Sequence, residues 1–251
     1  MKRHWYITIA IVVFIASLIA QAPAATLYAW FKPKAPSPVE LIGLQGTIKQ
    51  GRASGINVNN NPALNNLNWT LQPWRLLLGQ LAFHLESRSD TAIDSHVALS
   101  AFGATRISDT QGLMSIKSLL SAIGQPFLPL DGQASLQIKT LRLKNNQIKS
   151  ADGRIEIRSL AWTLAQEPIV LGDFAATVTT ENDVVLVKLE PQSGPLELTG
   201  SAKLLPDQTY EAQFQLRPKP DAPPMLINML SSIGPADVQG WHHIRKQGKL
   251  Q

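Results

Sequence analysis

Histidines are the side chains of this sequence best suited to metal binding or proton transfer, and the chain has five of them. His242 and His243 are adjacent, which at first sight suggests a pair of metal ligands. Neighbouring residues of a β-strand point to opposite faces of the sheet, however, so this pair cannot easily share one ion. His84 lies in a strand-like run on its polar side, and His96 is isolated in the sequence. We therefore predict no metal ligand and no cofactor site.

A candidate nucleophile, Ser54, lies in the glycine-rich segment 51–55. It is displaced by one position from the spacing of the G-x-S-x-G motif, and no strand-to-helix pattern follows it. Asp152, Glu156 and Glu167 occur singly, as acidic residues do on a solvated sheet face. No phosphate-binding loop, dinucleotide fingerprint or HExxH motif is present. The sequence predicts no catalytic residue, and we expect a protein that is not an enzyme.

The net charge of +5 is concentrated near the N-terminus. From residue 39 onward, 19 basic residues stand against 18 acidic ones, which leaves a net charge of only +1. Such a body presents no broad positive field to a phosphate backbone, so we expect no nucleic-acid partner. The chain has no cysteine, which excludes disulfides and cysteine-bound metals.

The first thirty residues have the pattern of a membrane anchor. Residues 1–4 are a basic tail, assigned to the cytoplasm, and residues 5–30 are an uncharged, mostly apolar segment predicted to cross the membrane. In a helix, Trp5 and Trp30 would lie roughly 37 Å apart, near the two headgroup layers of a bilayer. We therefore predict a single-pass protein of the bacterial inner membrane with its C-terminal body in the periplasm.

The same segment also has the elements of a cleaved signal peptide. Its basic start and apolar middle are followed by Ala22-Pro23-Ala24, a small-x-small cleavage pattern, and Pro23 would disturb a continuous helix. Both interpretations export the rest of the chain. Residues 31–39 contain three prolines and are predicted to form an extended spacer.

The body contains an internal repeat. Trp69-Thr70-Leu71 recurs as Trp162-Thr163-Leu164, and a glycine follows each tryptophan after ten residues, at Gly79 and Gly172. A looser similarity relates residues 120–124 to residues 230–234. We predict two similar β units, residues 40–131 and residues 132–251, with both tryptophans in the core.

Alternating apolar residues predict strands through most of the body. Residues 196–204 and 209–216 each keep their apolar side chains on one face and are joined by turn residues, so they predict a hairpin. Two changes of phase, after Ile138 and after Ile157, predict bulges in a curved sheet. Helical spacing before Gly124 and before Gly234 predicts two short helices. Residues 57–68 are rich in Asn and are predicted to form a loop. The fold class is thus mainly β, with a curved, mostly antiparallel sheet behind an N-terminal transmembrane helix.

Several short motifs together resemble one known family. In chain order they are Leu44-Gln45-Gly46-Thr47-Ile48 with Gly51-Arg52-Ala53, Trp69-Thr70-Leu71-x-Pro73, Leu76-Leu77-Leu78-Gly79, Gly194-Pro195-Leu196-x-Leu198-x-Gly200 and Gly240-Trp241-x-x-Ile244-x-x-x-Gly248-x-Leu250. In their order and spacing they are similar to the type II secretion system protein N (general secretion pathway protein N) family. The resemblance covers nearly the whole chain.

This resemblance implies a non-enzymatic, inner-membrane-anchored periplasmic subunit of the type II protein secretion apparatus. Its expected partners are other subunits of that apparatus, and the bilayer through residues 5–30. No functional residue carries over from the family. A weaker likeness, to repeated β proteins of the AsmA type, implies the alternative of a lipid-binding or lipid-transfer module with lipid in a groove of the sheet.

Overall fold

The computed structural model of the protein describes residues 21–31, 39–58, 61–89, 91–100, 102–122, 124–145, 147–164, 167–232 and 234–249. In chain order these residues form α1 (Ala24–Phe31), β1 (Val39–Ile42), β2 (Gln45–Gly46), β3 (Gln50–Val58), β4 (Asn61–Leu71), a 3₁₀ helix (Pro73–Leu78), β5 (Gln80–Arg88), β6 (Ala92–Ser100), β7 (Ala104–Ser115), α2 (Ile116–Ala122), β8 (Leu130–Lys144), β9 (Gln147–Trp162), β10 (Ile169–Glu181), β11 (Val184–Ser193), β12 (Leu196–Leu204), β13 (Thr209–Pro218), α3 (Pro224–Ser231) and β14 (His242–Lys249).

All the strands belong to one antiparallel sheet, which confirms the predicted mainly β fold. From β3 onward each strand pairs with the next strand in the chain, while β1 and the two-residue β2 both pair with β3. The sheet is open, with β1 at one edge and β14 at the other. The predicted boundary between residues 131 and 132 falls inside β8, and the pairing of β8 with β9 runs on both sides of this boundary. The sheet is continuous across this boundary, and the division of the body into two similar units stays a prediction.

At the N-terminal end, α1 begins at Ala24, directly after Pro23. Pro23 forms a backbone bridge with Thr47, next to β2, so the chain touches the sheet at this point. In the part of the chain that the structure describes, no helix combines the length and apolar character needed to cross a membrane. Residues 5–20 of the predicted anchor, and residues 32–38 of the predicted spacer, lie outside that part.

One face of the sheet is apolar and carries the core. Around Phe174 it packs against α3, whose Leu226 and Leu230 are almost completely buried. A second cluster surrounds Ala134 and α2, and a third surrounds Trp69 in β4. Each of these two short helices presents two buried side chains to the apolar face.

The position of α2 shows that the sheet is curved. This helix contacts β3 and β4 as well as β7 and β8. In a flat sheet β4 and β8 would be about 19 Å apart, since they are separated by four strand spacings. A helix is only about 10–12 Å in diameter. The apolar face must therefore bend around α2, in agreement with the predicted curvature.

Bulges accompany both predicted changes of phase. The pairing of β8 with β9 shifts at three places: between Asp131 and Gln133, between Ile138 and Thr140, and between Arg142 and Leu143. Ser159 has a left-handed backbone, with φ of 52°. It lies between Ile157 and Leu160, and both of these side chains pack against the same cluster under α3. The extra residue thus returns the strand to its apolar face.

The predicted hairpin and helices are confirmed. Paired residues of β12 and β13 run from Leu196 opposite Pro218 to Leu204 opposite Tyr210. The first predicted helix is α2, followed by Gly124 with a φ of +76°, and the second is α3, which starts at Pro224.

The loop predicted over residues 57–68 is wrong. Val58 ends β3 and Asn61 begins β4, so most of this stretch lies in two paired strands. Its polar side chains are typical of a loop, but the backbone N–H and C=O groups are satisfied by the neighbouring strands. Asn66 has a φ of 53°, a left-handed conformation that asparagine tolerates better than most residues.

The two copies of Trp-Thr-Leu are only partly alike in structure. Trp69 is buried near the end of β4, and Trp162 ends β9 and packs against the cluster under α3, so both lie in the core. The apolar runs that follow differ in conformation. Residues 76–78 lie in the 3₁₀ helix and are exposed, whereas residues 169–171 begin β10, with Ile169 and Leu171 buried.

Candidate interaction surfaces

Two of the histidines form a pair on the polar face of the sheet. His84 in β5 lies directly opposite His96 in β6, and their rings stack with centroids 4.7 Å apart. The His84 Nε2 is 3.0 Å from the Asp94 carboxylate. His96 is isolated in the sequence, and it meets His84 only through the register of the β5–β6 hairpin, which is not evident from the sequence. The Nδ1 of His96 is buried and has no partner among the described residues.

This pair combines an imidazole with an orienting carboxylate, but in the described part of the chain no hydroxyl is hydrogen-bonded to it. Thr70 and Ser108 are the strand neighbours of His84 and His96, yet within the described ranges neither hydroxyl bonds an imidazole. Ser54 lies in β3 and donates a hydrogen bond to the Gly43 carbonyl. Nucleophilic catalysis requires nucleophile and base within hydrogen-bond reach, and the hydrogen bonds of the described residues show none between a hydroxyl and His84 or His96.

The other two described histidines fix the start of the edge strand β14. His242 is buried on the apolar face, with its Nδ1 2.8 Å from the Gly234 carbonyl. His243 points to the opposite face and contacts the Asp237 carboxylate at 2.8 Å. The two side chains thus point to opposite faces of the sheet, as the alternation along a strand predicts. The same carboxylate accepts hydrogen bonds from the Trp241 and Gln239 backbone N–H groups, both at 2.9 Å.

These bonds lower the pKa of Asp237 from 3.8 to about 2, with the His243 contact as the largest cause. A carboxylate whose pKa is lower in the folded state stabilises the fold fully above its unfolded pKa, and this contribution is lost as the pH falls through about 2. We expect Asp237→Asn to lower the urea midpoint at about pH 5, and the gap from the parent protein to close as the pH falls towards 2. Urea unfolding followed by tryptophan fluorescence measures this gap. The exposed Asp221→Asn is the control, and a gap that persists unchanged at pH 2 would contradict the assignment.

Cavities on the sheet differ in their lining. Two broad depressions of about 840 and 890 Å³ are lined largely by polar and charged side chains. An apolar cavity of about 100 Å³ is lined mainly by side chains of the inner strands, Ile138, Leu141, Ala151, Ile155 and Val178. Ligand pockets usually measure about 300–1,000 Å³. This apolar cavity is too small to hold a lipid chain.

A further depression of about 320 Å³ lies where β7 begins and β8 ends. Arg106 and Arg142 lie directly opposite each other across these strands, and Lys144 and Lys149 also line the depression. No acidic residue lines it among the residues that the structure describes. Like charges directly opposite in a sheet are destabilising. A group of four basic side chains is also unexpected in a body whose net charge is only +1. The sequence positions alone do not bring these residues together.

Comparison with known proteins identifies the family. The chain matches the family model described as type II secretion system (T2SS), protein N, over residues 37–245. It is similar to the type II secretion system protein N of Vibrio cholerae, with 29% identity over 226 residues, which cover 86% of each chain. It is also similar to the protein of the same name from Aeromonas hydrophila, with 24% identity over 243 residues and 96% of each chain covered. No solved structure matches the chain significantly. The chain belongs to the type II secretion system protein N family.

Proposed function

We propose that the protein is a non-enzymatic subunit of the type II protein secretion apparatus that works by contact with other subunits. Its N-terminal segment anchors it in the bacterial inner membrane, with the membrane-crossing part before Pro23 and Ala24, which contact the sheet. The sheet body lies in the periplasm. The family match supports the secretion role. The histidine pair supports a non-catalytic role, because no described nucleophile accompanies it.

The open edge at β14 is the observation that carries the proposed contact. Among the described residues, β14 pairs only with β13, so its other side is available to a further strand. Arg245, Lys246 and Lys249 lie on it without an ion pair to any described residue, and the strand has no acidic residue. Within a nearly neutral body, this concentration of positive charge favours an extended, acidic segment of a partner subunit.

Photo-crosslinking in cells tests this proposal. A photoreactive residue at Gln247, exposed on β14, is expected to capture other proteins of the secretion apparatus, whereas one at Lys139 in the interior strand β8 is not. Reversal of charge in the double variant R245E/K246E is expected to reduce both the capture and the secretion of apparatus substrates several-fold. Capture of no apparatus protein from Gln247 would contradict the proposed edge contact.

The alternative of a lipid-binding module has less support. The apolar face, where a lipid chain would have to lie, is packed against α2 and α3 in two of its three clusters. Native mass spectrometry of the detergent-free body distinguishes the two functions, since a bound lipid adds its mass to the protein. A body that carries lipid would favour the alternative over the contact function.

A further inference from the structure

A group of large apolar side chains projects from the connection between β4 and β5. We call residues 73–78 the apolar tip. Trp74, Leu76, Leu77 and Leu78 of the tip are 57%, 48%, 90% and 65% exposed, and no residue of this 3₁₀ helix is buried. Isolated exposed apolar residues are ordinary, but a contiguous group marks a surface that contacts a membrane or a protein.

The internal repeat shows that this exposure is not required by the fold. The equivalent run in the second copy, residues 169–171, forms the start of β10 and buries Ile169 and Leu171 in the core. In the first copy Pro73 begins a 3₁₀ helix, and Gly79 ends it with a left-handed backbone. The same sequence pattern is thus turned outward in one copy and inward in the other.

The N-terminal chain enters the molecule next to the tip. The Leu71 N–H at the end of β4 donates a hydrogen bond to the Lys49 carbonyl, and the Trp69 indole donates one to the Thr47 carbonyl. Thr47 in turn forms a backbone bridge with Pro23. Three residues span at most about 10 Å. Residues 21–23 must therefore lie close to the strand end that carries the tip.

Basic and apolar side chains occupy the same end of the neighbouring strands. Pairing of Gln80 with Ser100, and of Ala104 with Lys144, places the β6–β7 and β8–β9 connections at the end where the tip lies. Phe102, 89% exposed, is in the first of these connections. The basic depression described above lies beside them and is lined by Arg106, Arg142, Lys144 and Lys149. From residue 41 to residue 85 the chain has three basic residues and no acidic one.

We propose that this end of the sheet, the tip with Phe102 and the basic depression, docks on an anionic phospholipid bilayer, the membrane that holds the N-terminal segment. Tryptophan and leucine side chains enter the interfacial region, where amphipathic surfaces bind. The arginines and lysines of the depression contact headgroup phosphates, which would also relieve the repulsion between Arg106 and Arg142. The inference rests on the proposed anchoring, and it adds a second contact that orients the body.

Single-cysteine labelling tests the inference, because the chain has no cysteine of its own. The full chain is reconstituted in phosphatidylcholine liposomes with or without phosphatidylglycerol and carries an environment-sensitive fluorophore at Leu77→Cys. The matched control is Phe127→Cys, which is 96% exposed and follows the opposite end of β7. We expect blue-shifted emission and several-fold stronger quenching by brominated lipid at position 77 than at position 127.

Charge variants test the basic part of the surface. R106Q/R142Q is expected to reduce the quenching at position 77 several-fold in liposomes that contain phosphatidylglycerol, whereas R245Q/K246Q, which removes the same charge from β14, leaves it unchanged. Equal quenching at positions 77 and 127 would overturn the inference. So would a blue shift at position 77 without lipid quenching, since the tip would then be covered by protein, either the N-terminal segment or a partner.

A label at Ile11→Cys separates this inference from the proposed anchoring. Lipid quenching at position 11 without quenching at position 77 refutes the docking and leaves the anchor intact. If the mature chain begins at Ala25, the label at position 11 is lost and the proposed anchor fails. Quenching at position 77 in that shortened protein would still support the docking surface.

Discussion

Replacing Gly172 with alanine is expected to lower the free energy of unfolding by more than about 3 kcal/mol. Gly172 lies in β10 with a φ of +125°, a conformation that residues with a side chain rarely adopt. A β-carbon there would overlap the Ser193 carbonyl oxygen and crowd the backbone of Gly194. Because the obstructing atoms are backbone, relief requires that β10 and β11 move apart at a pair of residues next to the core around Phe174.

The internal repeat supplies a matched control for this substitution. Gly79 is the equivalent glycine, and it has a φ of +68° with no atom within 4 Å of the point that a β-carbon would occupy. Gly79→Ala should therefore lower the free energy of unfolding by only about 1–2 kcal/mol, the cost of a left-handed backbone for a residue with a side chain. Urea unfolding followed by tryptophan fluorescence compares the two variants. Equal losses of stability would show that the close approach of Gly172 to Ser193 and Gly194 adds nothing to the cost of the substitution.

Phe174→Ala is expected to lower the free energy of unfolding by about 3–5 kcal/mol, through lost burial and the cavity that remains. Phe174 is 1% exposed and lies at the centre of the cluster in which α3 packs on the sheet. Its removal also leaves Leu226 and Leu230 without a major contact, so α3 should lose protection from hydrogen exchange. Equilibrium unfolding measures the first effect and hydrogen exchange the second.

The same substitution at the surface is the control. Phe127 is 96% exposed, so Phe127→Ala should change stability by less than about 0.5 kcal/mol. If Phe174→Ala costs no more than this, the cluster beneath α3 does not have the central place in the core that its burial indicates. If the Phe174→Ala variant loses exchange protection equally over all strands, then α3 has no stability separate from that of the sheet.

Much of the sheet was predictable because alternation along a strand directly encodes which face is buried. The β12–β13 hairpin and the bulge around Ser159 follow from this alternation. The helices α2 and α3 were predictable for a similar reason, since apolar spacing and a glycine or proline define their ends. Alternation does not specify which strands are neighbours. For this reason alternation could not indicate that a single sheet runs through β8, between the two similar units that the repeat predicts.

The candidate surfaces were largely beyond sequence reasoning because they depend on register. His84 meets His96, and Arg106 meets Arg142, only through the pairing of particular strands. The apolar tip was missed for another reason. Leucine runs are normally buried, and only the 3₁₀ conformation from Pro73 to Leu78 turns this one outward. The absence of acidic residues between positions 41 and 85 was a sequence signal that could have indicated an unusual surface.

The order of the strands has a consequence for how the molecule assembles. From β3 to β14 each new strand adds beside the one that was synthesised just before it. When two strands are neighbours in the sequence, their pairing closes only a short loop, at a small cost in entropy. The sheet can therefore grow from its N-terminal side while later residues are still being synthesised. β14 joins last, so the open basic edge of the sheet forms only after all the strands that precede it are in place.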